Sequence, residues 1–201
     1  MEIISAAYIY SGSVDKMVME YEAKFRVKDH ESIERALKSL GAVYEEEVFE
    51  EDHYIDLYPC IKLRERDEAL RVRISEGSRS RRGEITYKGP KIRRDLKVRD
   101  EITVDVSNPR ELIEIFRRLG FKSHVIRKKR KIYRLGIYRI FLDDVEAVGK
   151  FVEIEVDGVS SPEEFLEKIR RLKNMIGISG DQVVKSYLEL WLEGREGGKE
   201  A

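Results

Sequence analysis

Charged and apolar side chains alternate along several stretches of the chain. In residues 20–27, every second position is charged and the positions between them are apolar or aromatic. Side chains of a β-strand point alternately to its two faces, so this stretch is predicted to be a strand with one charged face. The same alternation returns in later segments, most clearly in residues 70–74 and 151–156. The sequence therefore predicts several strands of this two-faced kind.

Helical periodicity appears between these strands. Apolar residues recur every three or four positions in residues 31–40 and again in residues 109–119, and each stretch ends at a glycine. A third helix is predicted to begin at Pro162, after two serines, and a fourth to cover residues 181–193. Each of these helices has an apolar side that needs a partner surface.

A strand followed by a helix that ends in glycine occurs twice. Gly120 lies 79 residues after Gly41, and the same offset makes Glu101 the equivalent of Glu22 in the second half. Recurrence at a fixed offset indicates two related halves that face each other.

Counting the remaining alternating segments predicts a sheet of about eight strands. Residues 43–48 and 52–57 read as two short strand pieces, and the other segments follow one another through hairpin connections. Mostly antiparallel strands and three or four helices, without a long linker, predict one α+β domain built on a closed or nearly closed sheet. We expect the domain to cover residues 18–193, with a poorly ordered leader (1–17) and a disordered tail (194–201).

Composition limits the partners. The chain has 201 residues with 39 basic and 39 acidic side chains, so its net charge is zero. No global attraction to nucleic acid or to a membrane follows, and any affinity for phosphate must come from a local cluster. No stretch is apolar enough to span a bilayer. A single cysteine, Cys60, excludes a disulfide within the chain and favours the reducing cytoplasm.

The charged rows of the strands are expected to face the inside of the sheet, because the amphipathic helices must cover an apolar outer face. Small barrels normally fill their interior with apolar side chains, and buried charges are costly unless they are paired or meet a ligand. The rows therefore indicate a site for a charged ligand. The alternation leaves open a purely structural alternative, in which these charges form surface ion pairs of a highly charged protein.

Two sets of candidate residues follow from the sign of the charge. Basic side chains can neutralise a chain of phosphates, and arginine can grip two oxygens at once. The candidates for substrate binding are Lys24, Arg71, Arg73, Lys88, Arg99, Lys128 and Arg130.

Carboxylates are hard oxygen ligands for Mg²⁺ or Mn²⁺. The candidate metal ligands are Glu20, Glu22, Glu101, Asp143, Glu153 and Glu155. No glycine-rich phosphate loop of the GxxxxGK[ST] kind is present.

Seven landmarks, in order, resemble the CYTH superfamily, the triphosphate tunnel metalloenzymes. The first is the ExExK signature formed by Glu20, Glu22 and Lys24. The others are Leu70-Arg71-Val72-Arg73, Thr86-Tyr87-Lys88-Gly89-Pro90, Arg99-Asp100-Glu101, Lys128-x-Arg130-x-x-Tyr133, Leu142-Asp143 through Glu155, and Ser186-Tyr187. The resemblance covers residues 18–192 and is nearest to the class IV adenylyl cyclases.

This resemblance implies an eight-stranded antiparallel tunnel with helices on the outside. It also implies that the tunnel binds a small triphosphate and one or two divalent ions, with Lys24, Lys88 and Arg130 as catalytic candidates. Tyr187 is expected to be a packing anchor. The expected activity is conversion of ATP to cyclic AMP and pyrophosphate.

Alternatives to this activity remain open. The first is a triphosphatase that hydrolyses inorganic, thiamine or nucleoside triphosphate, and the second is a non-catalytic binder of polyphosphate or nucleotide. No membrane or specific nucleic acid is expected as a partner, and zero net charge permits a homodimer.

Overall fold

A computed structural model describes residues 19–78, 81–91 and 97–197. The predicted leader, residues 1–17, and the last part of the predicted tail, residues 198–201, lie outside the described part of the chain. The backbone of Glu20 is described within a strand, whereas its side chain lies outside the description.

Within these ranges the chain forms eight strands, four α-helices and a short 3-10 helix, Leu63–Arg66. The strands are β1 (Met19–Val27), β2 (Val43–Asp56), β3 (Ala69–Gly77), β4 (Arg81–Lys88), β5 (Lys97–Asp105), β6 (Lys122–Leu135), β7 (Tyr138–Val145) and β8 (Gly149–Val156). The helices are α1 (Glu31–Ser39), α2 (Pro109–Arg118), α3 (Pro162–Met175) and α4 (Tyr187–Gly197).

The strands form a closed antiparallel barrel in the order β1-β5-β4-β3-β2-β6-β7-β8. Closure comes from β1, which pairs with β5 on one side and with β8 on the other. The predicted α+β class and the eight-stranded antiparallel barrel are thus confirmed.

One predicted interruption is wrong. The two strand pieces expected at residues 43–48 and 52–57 form the single strand β2, which pairs with β6 along its length through a register irregularity near Tyr44. The alternation was hidden because both sides of the strand carry acids here. Glu50 is buried on the inner side, and Glu51 pairs on the outer side with Arg127.

The last helix begins and ends later than predicted. Residues ahead of it stay extended because they pair with β1: Gln182 forms a bridge with Phe25, and the N–H of Val183 donates to the carbonyl of Lys24 at 2.7 Å. α4 starts at Tyr187 and reaches Gly197, so it includes the first residues of the predicted tail.

The main apolar core lies on the outer face of the barrel. Its buried members come from α1, α3 and the outward positions of β1, β6, β7 and β8, and they include Ile33, Leu37, Phe165, Ile169, Leu172, Ala23, Phe25, Ile140, Leu142, Val152 and Ile154. Because side chains alternate along a strand, covering these positions turns the charged positions between them toward the inside. The expected inward orientation of the charged rows follows directly.

The internal repeat is also visible in the structure. β1 and β5 both have nine residues, and β2 and β6 both have 14. The helices between them end before Gly41 (φ 77°) and Gly120 (φ 90°), which adopt the left-handed conformation that glycine tolerates at a helix end. β1 and β5 pair with Glu20 directly opposite Arg99, as expected for halves related by a two-fold axis.

No α-helix in the described ranges is long and apolar enough to cross a membrane.

Candidate active site

A cavity of about 860 Å³ occupies the inside of the barrel. Inward-facing side chains of all eight strands line it, together with the start of α4 and the segment around the 3-10 helix. Such a volume lies in the range of small-molecule sites. Its wall, however, is dominated by charged groups where most such sites are mainly apolar.

The structure brings the predicted site residues together. Those that line the cavity are Glu22, Arg71, Arg73, Lys88, Arg99, Glu101, Lys128, Arg130, Glu153 and Glu155. Lys24 and Asp143 are fully buried beside it, each in contact with residues of this set. The side chain of Glu20 cannot be placed, since it lies outside the described part of the chain.

Arg130 forms the centre of a buried cluster on β6, β7 and β8. Its guanidinium group donates to both oxygens of Asp143, at 2.7 and 2.6 Å, and also to Glu153. The ammonium group of Lys24 lies 3.8 Å from Glu153. Burial opposes the charge of Arg130, but the carboxylates of Asp143 and Glu50 dominate and raise its pKa well above the ordinary value. Arg130 is therefore a fixed positive charge on this wall.

Tyr187 joins this cluster from the first turn of α4. Its hydroxyl donates to Asp143 at 2.8 Å, and its ring lies under the Lys24 ammonium at 4.2 Å and near that of Lys128 at 5.3 Å. Burial, reinforced by the charges of Asp143 and Glu153, raises the pKa of Tyr187 well above its usual range. Tyr187 packs against Phe151 in a buried cluster, lines the cavity and holds Asp143, a predicted metal ligand.

A second buried cluster lies on β2, β3 and β6. Arg73 donates to both oxygens of Asp52, at 2.5 and 2.8 Å, and Lys128 lies 2.9 Å from Glu50. Burial disfavours ionisation of Glu50, but the charges of Arg73 and Lys128 outweigh it and lower the pKa to about 2. The same basic side chains keep the pKa of Asp52 well below its ordinary value, against the effect of burial.

Glu50, Asp52 and Glu84 were missed as members of the site. Glu84 lies on β4 and accepts a hydrogen bond from Arg71 at 2.6 Å. The signal that could have found Glu50 and Asp52 is alternation. They lie at every second position of β2 together with Tyr54, so all three side chains point to the cavity. Glu50 fell in the gap between the two predicted strand pieces, so its place in this alternation was not seen.

Arg99 differs from the other basic residues of the predicted set. Its guanidinium group donates to the carbonyls of Asp67 and Gly89, both at 2.9 Å, and to the Asp67 carboxylate at 3.1 Å. Lys91 binds the same carboxylate at 3.0 Å and reaches Glu189 of α4 at 3.2 Å. Arg99 therefore ties together the segments at one end of the cavity, although it also borders the cavity itself.

Comparison with known proteins gives the family. The model of the CYTH domain matches residues 19–187, which is most of the chain and includes every strand of the barrel. The chain belongs to the CYTH family. Members of this family are enzymes that act on triphosphates, as adenylyl cyclases or triphosphatases, and generally use divalent metal ions.

Similar proteins match this chain over nearly their whole length. The Methanocaldococcus jannaschii protein MJ0240, whose name assigns it provisionally as an adenylate cyclase, is 36% identical and is matched over 86% of this chain and 98% of its own. The solved structure of PH1819 from Pyrococcus horikoshii OT3 is 34% identical, with a TM-score of 0.74 over 87% of this chain and 98% of that one.

A more distant structure shows the fold alone. HpAC1 of Hippeastrum is 18% identical, with a TM-score of 0.67 over 88% of this chain and 96% of that chain, and a dominant triphosphatase activity is stated for it.

The carboxylates of this CYTH protein suit a hard divalent ion by their chemistry. Glu22 lies directly opposite Glu155 in the pairing of β1 with β8, and Glu153 follows at the next inward position. Across the described residues, no three acidic, histidine or cysteine side chains are already grouped as a metal site. Instead, Glu153 accepts a hydrogen bond from Arg130, and Glu155 lies 3.9 Å from Arg139, so these two carboxylates face basic groups.

Proposed function

We propose that this CYTH protein is a divalent-metal-dependent enzyme that acts on a triphosphate inside the barrel. The first candidate activity is that of a class IV adenylyl cyclase, which converts ATP to cyclic AMP and pyrophosphate. The observation that carries the proposal is the convergence of basic side chains from β1, β3, β4 and β6, with carboxylates of β1 and β8, in one enclosed cavity.

A bound chain of phosphates would replace carboxylates as the partners of the basic side chains in this cavity. Arg73 and Arg130 each bind a carboxylate through two hydrogen bonds, and Arg71 binds Glu84 through one. Phosphate oxygens can accept the same hydrogen bonds from these guanidinium groups. If Arg130 turns to a phosphate, Glu153 is released from it. The ligand would thus bring the negative charge that frees the carboxylates.

Those carboxylates are the groups proposed to hold Mg²⁺ or Mn²⁺, namely Glu22, Glu153 and Glu155, joined by the other predicted ligands Glu20, Glu101 and Asp143. A divalent ion bound there supplies positive charge to the attacking and leaving oxygens of phosphoryl transfer. The role of the protein side chains is to position the phosphates and to exclude water from them.

In the cyclase reaction, the ribose 3′-oxygen forms a bond to the α-phosphorus, and the bond from that phosphorus to its bridging oxygen breaks. Pyrophosphate leaves, and the 3′-hydroxyl proton is lost. Lys24, Lys88 and Arg130 are proposed to stabilise the negative charge that gathers on the leaving pyrophosphate. They are suited to this by their positions at the cavity, with Lys24 and Arg130 beside Glu153 and Lys88 beside Glu101.

A triphosphatase is the second candidate. Water would then attack the terminal phosphorus in the same cavity, and the dominant triphosphatase activity stated for HpAC1 shows that this fold can host such a reaction. Purified protein incubated with ATP and Mn²⁺ separates the two activities. Cyclic AMP with pyrophosphate supports the cyclase, whereas ADP with phosphate supports the triphosphatase.

A non-catalytic binder is the third candidate, and a pair of variants tests it. Glu153→Gln and Glu155→Gln should abolish turnover of an enzyme and leave the triphosphate affinity of a pure binder intact. The matched control is Glu146→Gln, at an exposed position next to β7. Absence of any turnover by the unaltered protein, together with tight triphosphate binding, would favour the binder.

The same proposal places the protein in the cytoplasm. ATP and Mg²⁺ are available there, and Cys60, which is exposed, would stay reduced.

A further inference from the structure

The lining of the cavity changes from charged to apolar toward one end. Along β6 the inward side chains are Lys128, Arg130 and then Ile132. Phe141 of β7 lies directly opposite Ile132, and Val48 of β2 lies opposite Arg130. Val48, Ile132 and Phe141 form a buried apolar cluster of their own, which we call the apolar wall. The charged rows therefore end at an apolar surface inside the barrel.

Small residues of β3 flank the apolar wall. Ser75 lines the cavity at this end, and Gly77, which pairs with Val48, is the next inward position of the strand. A Cβ atom at residue 77 would lie 2.6 Å from Oε2 of Glu46 and 3.0 Å from a methyl carbon of Val48. Glycine thus lets the Glu46 carboxylate lie against the backbone of β3. The small side chains leave room for a flat group beside the wall.

Two polar side chains at the apolar wall have unused hydrogen-bonding atoms. Glu46 lies directly opposite Ile132, and Arg139 is the inward residue of β7 next to Phe141, with its guanidinium carbon 5.1 Å from the centre of that ring. In residues 19–78, 81–91 and 97–197, Oε2 of Glu46 and Nε of Arg139 are buried without a hydrogen-bond partner. Such atoms are costly, so the pair favours a ligand that offers one donor and one acceptor.

We propose that the apolar wall is the subsite for the base of a nucleoside triphosphate, a base that carries an exocyclic amino group. The inference rests on the proposed function, because it requires the basic groups next to the wall to hold the phosphates. A heterocyclic base has two apolar faces, which gain by leaving water for an apolar surface. Its amino group would donate to Glu46, and a ring nitrogen would accept from Arg139.

The spacing along β6 fits a nucleotide. Ile132 lies one inward position beyond Arg130, and such positions are about 7 Å apart along a strand. A ribose bridges a gap of that size between a phosphate and a base. The phosphate next to the ribose, the α-phosphate, would then lie beside Arg130 and its partner Glu153. This orientation favours the cyclase, in which the α-phosphorus is attacked.

The apolar residues at the opposite end of the cavity are engaged in other contacts. Tyr187 and Leu188 belong to a buried cluster under α4, and the Tyr187 hydroxyl donates to Asp143. The neighbouring segments are tied together by Asp67, which accepts from Arg99. The apolar wall, with the unused atoms of its two polar neighbours, is therefore the favoured place for a base.

Calorimetric titration of the full chain in the presence of Mn²⁺ tests the proposal with two ligands. One is the α,β-methylene analogue of ATP, whose carbon bridge prevents cyclisation, and the other is tripolyphosphate, which has no base. Glu46→Ala should weaken binding of the analogue by about 10- to 100-fold, because it removes a charged hydrogen-bond acceptor. Phe141→Leu should weaken it by about 3- to 10-fold, through loss of the contact between aromatic rings. Both variants should bind tripolyphosphate as the unaltered protein does.

Leu63→Ala is the matched control, since Leu63 is a buried apolar residue that lines the cavity near its opposite end. It should leave the ratio of the two affinities unchanged. Equal losses for both ligands in Glu46→Ala and Phe141→Leu overturn the inference, because they indicate a structural role only. Unchanged binding of the analogue in these two variants, or a selective loss in Leu63→Ala, overturns it too.

The unaltered protein separates this inference from the proposed function. If it binds tripolyphosphate and not the analogue, the base subsite is wrong, and an enzyme acting on inorganic triphosphate still stands. If it binds neither ligand, the proposed function fails and the base subsite fails with it.

Discussion

Charged residues of the cavity stabilise each other in buried pairs, so replacing only one member of a pair is costly. Arg130 and Asp143 are both buried, and each satisfies the other through two hydrogen bonds. Loss of one member of such a pair leaves an uncompensated buried charge, which costs about 3–5 kcal/mol. Conservative changes that remove one contact and keep the charges are therefore the informative ones.

Tyr187→Phe is such a change. It removes the hydroxyl that donates to Asp143 and keeps the ring beneath Lys24. A hydrogen bond to a buried charged acceptor contributes about 2 kcal/mol, so the free energy of unfolding should fall by that amount in urea titrations. The control is Tyr58→Phe, because Tyr58 is 63% exposed and should change stability little. Equal effects of the two changes would contradict this role of Tyr187.

Acid should destabilise the barrel through Glu50. Its pKa is lowered from 4.5 to about 2 in the folded protein, because Arg73 and Lys128 outweigh the effect of burial. Stabilisation is then complete above pH 4.5, the value for the unfolded chain, and is lost as pH falls toward 2. The shift corresponds to a contribution on the order of 3 kcal/mol.

Urea unfolding at a series of pH values from about 5 down to about 2.5 measures this contribution, because most of the loss is expected in that range. In Glu50→Gln the dependence of the unfolding free energy on pH should be smaller than in the unaltered protein. An identical dependence in the two proteins would show that Glu50 does not contribute to acid sensitivity.

At the scale of elements, helix starts that look alike in the sequence differ in the structure. Both α2 and α3 begin with proline after a capping residue. The Ser161 side chain accepts a hydrogen bond from the N–H of Glu164 at 3.2 Å, whereas the Asn108 side chain makes no capping bond. The capping residues differ in backbone conformation: Ser161 is extended (φ −147°, ψ 155°), whereas Asn108 is not (φ −125°, ψ 72°).

Ser161→Ala should therefore lower the free energy of unfolding by about 1 kcal/mol, the usual contribution of an N-cap. Asn108→Ala, its matched control, should have an effect near zero. Chemical denaturation of both variants measures the difference, and a larger loss for Asn108→Ala would be inconsistent with the described caps.

At the scale of the whole molecule, the barrel interior holds many charges of both signs. Carboxylates from β1, β2, β4, β5, β7 and β8 accompany the basic groups throughout the cavity and its buried margin. A bare polyanion would have to displace those carboxylates and leave them near its own charge. Under the proposed function, a divalent cation held by the displaced carboxylates would remove this conflict by supplying positive charge there.

Thermal unfolding with tripolyphosphate tests this balance without requiring turnover. Tripolyphosphate with Mn²⁺ should raise the melting temperature far more than either component, and saturation at about 100 times Kd would add about 2.7 kcal/mol. Glu153→Gln should reduce the joint effect, and Glu146→Gln should not. Full stabilisation by tripolyphosphate without metal would contradict the proposed exchange of partners.

Much of this architecture follows from alternation in the chain. Strict alternation in β1 and β3 identified Lys24, Arg71 and Arg73 as inward groups, because the pleat fixes which side chains share a face. The repeat was recognisable from two glycines at helix ends, where a positive φ restricts the choice of residue. Local geometry therefore sufficed for most of the strands, for the repeated helix pair and for most of the basic set.

Tertiary structure decided what depends on neighbours distant in sequence. Glu50 and Asp52 became part of the site through Lys128 and Arg73, which lie on other strands. Asp143 is held by Tyr187, 44 residues later. Alternation tells which face a side chain occupies, but the register between strands and the closure of the barrel determine which opposite charges meet inside it. For that physical reason the sequence specified most of the basic lining, and only the fold specified which carboxylates pair with it.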